Sequence, residues 1–290
     1  MLCKFFLALK TGKLPLFFTC GNKFLVKGSS VSDLIEGFLG KSVEGKKSKL
    51  PAQLDYIQSA TGLFLGLFMW VHMFFVSTIL ISKDFMYDVV QMLEGSMFLK
   101  EPQPAITSFA VLVVSAVFIA HGLLAMRKLP INFRQWQSYR THMGMMNHKD
   151  TSLWFIQAAT GFVLFFLGSA HLAMMFAKSH EIGPYASADR MYTDIMWPFY
   201  LLLLLAVEFH GSIGLYRLCV KWGWFEGANA KETRAKLKKL KWAITVFFLG
   251  LGLVTLAAYV KIGYEHRDNA GERYERTSHL ELRHDGKVKA

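Results

Sequence analysis

Five long apolar runs alternate with polar segments along the chain of 290 residues. The clearest is residues 58–81, QSATGLFLGLFMWVHMFFVSTILI, in which His72 is the one residue with an ionisable side chain. At about 1.5 Å of rise per residue, a helix of this length crosses a bilayer core of about 30 Å. The pattern predicts an all-α, polytopic membrane protein with transmembrane helices at residues 55–82, 105–126, 151–177, 192–220 and 242–262.

The first and third runs contain a repeated element. Matching positions in the two runs are Gln58 and Gln157, Thr61 and Thr160, Gly62 and Gly161, and His72 and His171. The second and fourth runs each carry His-Gly, at His121 and His210, followed by a basic residue where the run ends. The chain therefore places four histidines inside four predicted spans.

Charge is distributed unevenly between the loops. The formal net charge is +12, and the basic residues collect in alternate loops, whereas residues 83–104 carry more acidic than basic side chains. Because cytoplasmic loops of membrane proteins collect Lys and Arg, this predicts that the N-terminus lies in the cytoplasm and the C-terminus on the outer side, which is the periplasm in a Gram-negative cell. The basic excess then requires no nucleic acid. Residues 83–104 are predicted to form a short helix against the outer membrane surface.

Composition divides the chain into four segments. Residues 1–30 have short apolar stretches broken by lysine, unlike a secretory signal peptide. They are expected to lie outside the natural protein, with translation starting at Val31. Residues 31–54 form a cytoplasmic segment, residues 55–262 the membrane domain, and residues 263–290 a charged, flexible tail on the outer side.

The direction of each span sets the depth of its histidine. His72 and His171 lie roughly 20 to 27 Å from the inner boundary, and His121 and His210 roughly 8 to 11 Å from it. Two imidazoles on either side of one flat macrocycle give six-coordinate haem, which transfers electrons. The sequence predicts two b-type haems. No Cys-x-x-Cys-His motif is present for covalent attachment, so coordination and packing would hold them.

These features have simpler alternatives. A single membrane histidine is more often a hydrogen-bonded packing residue or a member of a proton relay, whereas four histidines paired by depth favour haem. Glycines near the histidines either let a macrocycle approach the backbone or pack helices together. They are Gly62, Gly66, Gly122, Gly161, Gly168, Gly211 and Gly214.

Haem propionates need donors or cations near the membrane boundaries. Residues of this kind at the inner level are Gln58, Ser59, Trp154 and Lys221, and Arg190 lies at the outer level. Interfacial residues of these types also serve as simple anchors. The spacing alone does not decide between the two roles.

Two carboxylates are candidates for proton transfer. Glu208 lies inside the fourth span, two residues before His210, where an ionised carboxylate is costly unless it has a partner. It is either a proton-transfer group or a neutral, hydrogen-bonded packing residue. Glu94 lies in the amphipathic outer segment, where most acids are simply solvated, and spacing does not separate it from Glu101.

Together these residues resemble the cytochrome b subunit of dihaem succinate:quinone oxidoreductases, most closely the fumarate reductase subunit of epsilonproteobacteria. The resemblance covers about residues 32–262. It is carried by QSATGLFLGLFMWVHMFFVSTIL, HGLLAMRKLPINFRQ, HKDTSLWFIQAATGF and VEFHGSIGLYRLCVKWGWF. Residues 87–104 agree only loosely apart from Glu94.

The resemblance implies a membrane anchor that oxidises menaquinol near the outer side. Electrons would pass through two haems b to an iron–sulfur subunit and an FAD-containing flavoprotein, which reduces fumarate to succinate. His72 and His171 would hold the distal haem iron, and His121 and His210 the proximal one. FAD and the iron–sulfur clusters belong to the partner subunits.

The resemblance also implies roles for the other candidate residues. Glu94 would accept the proton of menaquinol, and Glu208 would serve a transmembrane proton path. The positions that match the propionate-binding residues of the family are Gln58, Ser59, Trp154, Lys221 and Arg190.

Two other classes of protein remain open. A dihaem anchor of a hydrogenase or formate dehydrogenase also keeps ligating histidines, although the duplicated Gln-x-x-Thr-Gly element and the HGLLAMRKLPINFRQ loop favour the first assignment. A haem-free proton-coupled transporter would use the histidines as a relay, but transporter sites favour interrupted helices and mixed polar groups.

Overall fold

The computed structural model describes residues 49–130, 132–146 and 149–276. The proposed extension 1–30, residues 31–48 of the predicted cytoplasmic segment and residues 277–290 of the predicted tail lie outside the described residues. The α-helices within the described ranges are α1 (Leu50–Ser77), α2 (Lys83–Leu93), α3 (Pro104–Met126), α4 (Phe133–Met146), α5 (Lys149–Ala177), α6 (Pro184–Tyr192), α7 (Trp197–Trp222) and α8 (Ala230–His266).

Five helices of the described chain are long and apolar enough to cross a membrane: α1, α3, α5, α7 and α8. This confirms the predicted all-α, five-span architecture. Large apolar side chains such as Phe64, Val71 and Phe74 remain exposed along the spans. A lipid-facing surface requires this, because the bilayer core favours apolar groups and the helices satisfy their own backbone hydrogen bonds.

Local sequence explains several helix ends. Proline occupies the first turn of α1, α3, α6 and α7, where its missing N–H removes no intrahelical hydrogen bond. The hydroxyl of Ser82 accepts a backbone hydrogen bond at the start of α2. The side chain of Asn229 accepts from the N–H groups of Lys231 and Glu232 at the start of α8. Gly223, with φ of +63°, ends α7.

The four histidine-bearing spans form a closed four-helix bundle. Helix α1 packs against α3, α3 against α5, α5 against α7, and α7 against α1. Helices α1 and α5 are therefore diagonally opposite, as are α3 and α7. The fifth span, α8, packs outside this bundle against α7 and α1.

Following the predicted orientation, we call the end of the bundle that carries Glu94 the outer end and the end that carries Lys221 the inner end. A buried hydrophobic cluster of α2, α6, α8 and the turn after α1 lies at the outer end. A Cβ on Gly263 of α8 would lie 2.4 Å from the carbonyl oxygen of Ala188 on α6, so glycine allows these helices to approach. The members of the cluster are Ile79, Met86, Val90, Ala188, Met191 and Tyr259.

Several helix boundaries differ from the predicted ones. The fifth span begins at Ala230 rather than residue 242, because the preceding basic stretch consists mostly of strong helix formers and carries an N-cap. The fourth begins at Trp197 rather than residue 192, and the residues before it form the separate helix α6. The first begins at Leu50 and ends at Ser77 before a 3₁₀ turn, Thr78–Leu80. The basic loop after the second span contains α4.

The described part of the C-terminal tail also differs from the expectation of a flexible segment that starts at residue 263. Helix α8 continues to His266, whose Nδ1 lies 2.9 Å from Oδ1 of Asp189. Further along, the Tyr274 hydroxyl donates to Oδ1 of Asp84 at 2.7 Å. These contacts hold residues 263–276 against α6 and α2.

Candidate functional site

The structure brings the four span histidines together in two pairs, each joining diagonally opposite helices. The outer pair is His72 on α1 and His171 on α5, with ring centroids 6.3 Å apart and ring planes inclined by 58°. The inner pair is His121 on α3 and His210 on α7, with centroids 6.4 Å apart and planes inclined by 86°. The pairing expected from depth along the spans matches this arrangement.

Each pair has the spacing that a metal atom between two imidazoles requires. A metal–nitrogen bond of about 2 Å and a further distance of about 1.1 Å from nitrogen to ring centroid, on both sides, place facing centroids about 6.2 Å apart. Twist of the rings about their common axis leaves this distance unchanged, so both interplanar angles are compatible with it. The two histidines at each level therefore fit a haem iron that both of them would hold.

The repeated element in the third span holds one histidine of the inner pair. The carbonyl oxygen of Gln157 lies 2.9 Å from Nδ1 of His210. Because a carbonyl oxygen only accepts, Nδ1 carries the hydrogen, and Nε2 keeps the lone pair that a metal needs. A Cβ on Gly161 would lie 2.7 Å from Cε1 of this ring, so glycine admits the imidazole edge.

The same element in the first span holds the other histidine of the inner pair. Oγ1 of Thr61 lies 3.2 Å from Nδ1 of His121, and the Thr61 hydroxyl donates to the carbonyl oxygen of Ile57 at 2.9 Å. Oγ1 therefore accepts from Nδ1, which again leaves Nε2 for a metal. A Cβ on Gly62 would lie 2.8 Å from Cε1 of His121. The two copies of the repeat thus orient the two inner histidines, one from each neighbouring span.

Aromatic rings surround the outer pair instead. His72 stacks on Phe68 with centroids 5.7 Å apart, and Tyr200 meets His171 edge to face at 5.6 Å. Nδ1 of His171 is buried and has no hydrogen-bond partner within the described residues. Burying an imidazole with so few polar contacts is costly unless the ring also coordinates a metal.

The remaining glycines have different neighbours. Five of the seven meet apolar or amide side chains of adjacent spans rather than histidine, and for these the packing alternative describes the protein contacts. They are Gly66, Gly122, Gly168, Gly211 and Gly214.

A cluster of ion pairs links three spans at the inner end of the bundle. The carboxylate of Asp55 on α1 pairs with Lys128 just beyond α3 and with Lys221 on α7. Nζ of Lys221 also donates to Oγ of Ser59 at 3.0 Å. Ser59 and Lys221 are predicted propionate residues, whereas the sequence did not single out Asp55 or Lys128. The sequence did contain a pattern that could have predicted this cluster. Asp55 lies at the start of the first apolar run, and Lys128 and Lys221 lie at the ends of the second and fourth runs.

The other predicted propionate residues have different surroundings. The side-chain oxygen of Gln58 is buried without a partner within the described residues. Trp154 packs against Tyr139 of α4 with centroids 4.6 Å apart. Arg190 is buried in α6 at the outer end and donates to the carbonyl oxygen of Glu181 at 3.4 Å.

Glu94 is a buried carboxylic acid at the end of α2, 6% exposed, whereas Glu101 is exposed. Its carbonyl oxygen accepts from the N–H of Gln103 at 2.9 Å, which ties the end of α2 to the start of α3. Burial raises the pKa of the Glu94 carboxyl, and the charge of Arg273 opposes that shift. Environment therefore separates Glu94 from Glu101, which spacing did not.

Glu208 is fully buried on α7, and neither carboxyl oxygen has a partner within the described residues. Ser212, one turn along the same helix, is also buried, with its hydroxyl oxygen equally unpartnered there. Leu204, one turn in the other direction, fills the space beside Gly252 of α8. An uncompensated charge in this position is costly, and such positions in spans are commonly functional.

Comparisons with known proteins agree with this site. Residues 134–251 match the family described as succinate dehydrogenase/fumarate reductase transmembrane subunit. The fumarate reductase cytochrome b subunit of Wolinella succinogenes is 54% identical over 235 residues, which cover 81% of this chain and 92% of that protein. The fumarate reductase cytochrome b subunits of two Helicobacter pylori strains are 52% identical over 237 residues, 82% of this chain and 91% of each relative.

Four spans around two facing histidine pairs, with a fifth span packed outside them, define a helical membrane protein of the cytochrome b class. Identity above one half extends over most of this chain and nearly all of each relative. The chain belongs to the family of fumarate reductase cytochrome b subunits.

Substitution of Gly161 by alanine tests whether this glycine is needed to position His210 in the inner pair. The added Cβ meets a ring that the Gln157 carbonyl already holds, so the imidazole has to turn away; a clash of this kind typically costs about 1 to 3 kcal/mol. If each histidine pair holds one haem, the haem content of the purified protein should fall by about half in a pyridine haemochrome assay. Gly250→Ala is the matched control, because nothing lies within 4 Å of a Cβ there. Full haem content in Gly161→Ala would contradict the assigned role.

Proposed function

We propose that the chain is the membrane anchor and quinol-oxidising subunit of a fumarate reductase complex. Menaquinol releases two electrons and two protons at the outer end, and fumarate takes up two electrons and two protons in a partner subunit on the inner side. The observation that carries this proposal is the presence of two histidine pairs in one bundle, an outer and an inner one, each with the ring separation that a shared metal atom requires. Membership of the fumarate reductase cytochrome b family supports it.

Two haems b are the cofactors under this proposal. His72 and His171 hold the outer haem iron, and His121 and His210 hold the inner one. When bound, haem supplies reversible one-electron transfer. With two histidines holding each iron, the protein would keep oxygen and substrate from binding the metal.

Glu94 is the proton acceptor for menaquinol in this scheme. Its buried carboxyl lies at the outer end, and its raised pKa brings proton exchange closer to neutral pH. The residues that follow it include Met97 and Phe98, which are 67% and 89% exposed. Exposed apolar side chains beside the acid give a lipid-soluble quinol a route from the outer leaflet.

The polar residues at the two ends serve the haem propionates. Ser59 and Lys221, already joined by a hydrogen bond, bind those of the inner haem together with Gln58 and Trp154. The buried guanidinium of Arg190 serves the outer haem. Cations and donors at these levels compensate the carboxylate charge of a propionate.

The inner end is the docking face for the partner subunits, an iron–sulfur protein and an FAD-containing flavoprotein. The basic first turns of α8 and the helix α4 lie at this end, where an iron–sulfur subunit would meet them. The complex lies in the bacterial inner membrane with the N-terminus cytoplasmic and the C-terminus periplasmic, as the loop charges predict. No nucleic acid takes part.

The alternative classes have less support. The similar proteins are named fumarate reductase subunits rather than hydrogenase or formate dehydrogenase anchors. The five spans are continuous helices within the described residues, whereas transporter sites favour interrupted ones.

Replacement of Glu94 by glutamine tests the proposed chemistry. Glutamine keeps the shape but accepts no proton, so menaquinol-dependent fumarate reduction should fall at least about 100-fold, in the range of lost general-base catalysis. The measurement is the quinol-dependent rate in membranes that contain the whole complex.

The control for this substitution is twofold. Fumarate reduction by an artificial donor that feeds the partner subunits should persist, and the reduced-minus-oxidised spectrum should keep its b-type bands. Glu101→Gln removes an exposed acid from the same outer segment and should leave the quinol rate intact. Retained menaquinol activity in Glu94→Gln would remove Glu94 from the mechanism.

Glu208 is proposed to carry protons inward across the bundle as electrons pass. Its carboxyl is buried without a partner within the described residues, and its isostere glutamine carries no exchangeable acid proton. Glu208→Gln should keep both haems and the artificial-donor rate while slowing quinol-dependent turnover at least about 10-fold. Ser212→Ala, one turn away and equally buried, is the matched control. Unchanged quinol-dependent turnover in Glu208→Gln would assign this residue to packing.

A further inference from the structure

The first and second spans touch at two points that are two helical turns apart. A Cβ on Gly62 would lie 2.8 Å from Cε1 of His121. Nearer the inner end, the carboxylate of Asp55 pairs with Lys128. Asp55 comes seven residues before Gly62, and Lys128 comes seven residues after His121. Because seven residues make about two turns, or roughly 10 Å of rise, the ion pair lies about two turns to the inner side of the His121 ring, on the same facing sides of the two spans.

The fourth span joins the same ion pair. Lys221 of α7 pairs with the second carboxylate oxygen of Asp55, and its Nζ also donates to Oγ of Ser59 at 3.0 Å. The hydroxyl of Ser59 donates to the Asp55 carbonyl oxygen at 2.9 Å. Lys221 follows His210 by eleven residues, which make about three turns, so it leaves the same side of α7 as that histidine. One carboxylate therefore holds a lysine from each span that supplies an inner histidine.

The cluster carries more positive than negative charge. Asp55 is the one carboxylate in contact with Lys128 or Lys221 within the described residues, so two ammonium groups share a single negative charge. Nη1 of Arg127, next to Lys128 in the chain, is buried and has no hydrogen-bond partner among the residues that the structure describes. Unbalanced cations at the membrane boundary favour the binding of an anion. A propionate is the anion that a haem at the inner pair would bring.

We propose that Lys128 is a second cation for the propionates of the inner haem, beside Lys221, and that Asp55 is a positioning residue that holds both lysines at this level. The inference rests on the proposed haem between His121 and His210. It assigns a function to Asp55 and Lys128, which the sequence pattern did not single out.

The midpoint potential of the inner haem tests the inference. Reduction adds an electron, so a nearby cation favours the reduced form and a nearby carboxylate opposes it. Lys128→Gln should therefore lower the equilibrium constant for reduction about threefold to tenfold, where tenfold is about 59 mV for a one-electron couple. Asp55→Asn should raise this constant by a similar factor. The measurement is a potentiometric titration of the b-type bands in the purified whole complex.

Two further variants separate charge from structure. Lys128→Arg keeps the charge and should restore most of the original potential. Lys261→Gln removes the same charge from an exposed ion pair with Glu265 on the outer half of α8, and it should leave the titration unchanged. A cluster that only ties the spans together would not give opposite shifts in Lys128→Gln and Asp55→Asn, because both substitutions break the same contact.

The haem content of each variant accompanies the titration. A pyridine haemochrome assay shows whether the variant retains its haem. If Lys128→Gln loses haem, the upward shift in Asp55→Asn and the restored potential in Lys128→Arg decide the outcome, since both of these variants keep a cation at residue 128.

The outcomes distinguish this inference from the proposed function. If the unsubstituted complex holds haem at both pairs and neither Lys128→Gln nor Asp55→Asn moves the potential, the inference is wrong while the proposed function stands. Shifts in the same direction in these two variants, or an equal shift in Lys261→Gln, would also overturn the inference. If the unsubstituted complex holds no haem at the inner pair, the proposed function is wrong, and the inference with it.

Discussion

The separation of the imidazoles in each histidine pair is the constraint on which the rest of the bundle depends. Centroid distances of 6.3 and 6.4 Å between diagonally opposite spans match the separation of two imidazoles that share one metal atom. The helices must hold this distance at two levels of the membrane. Gly62 and Gly161 pack closely against the imidazoles of the inner pair, and aromatic rings surround the outer pair.

This arrangement explains the repeated Gln-x-x-Thr-Gly element of the first and third spans. Each copy lies on one span and orients the inner histidine of a neighbouring span, through a glycine and a polar acceptor. The copies therefore do not hold the histidines of their own spans, His72 and His171, which belong to the outer pair. The result is a bundle in which every histidine-bearing span serves one of the pairs directly and α1 and α5 serve both.

Much of this architecture could be predicted from sequence because spans have a nearly constant rise and alternate in direction. Those two facts give the depth of each histidine and hence the pairing. They say nothing of helices outside the apolar runs, which is why α4 and the early start of α8 were not predicted. Hydropathy also cannot show contacts between distant residues such as Asp189 and His266, which lie 77 positions apart. Which of two acids is buried depends on such contacts, so spacing did not separate Glu94 from Glu101.

The central claim is that each histidine pair holds the iron of one haem. X-ray diffraction from crystals of the whole complex, measured at the iron absorption edge, locates iron atoms independently of the protein model. Within this subunit the account predicts two anomalous peaks, one between the rings of His72 and His171 and the other between those of His121 and His210. A single peak, or a peak bound to any other residue of the subunit, would contradict it.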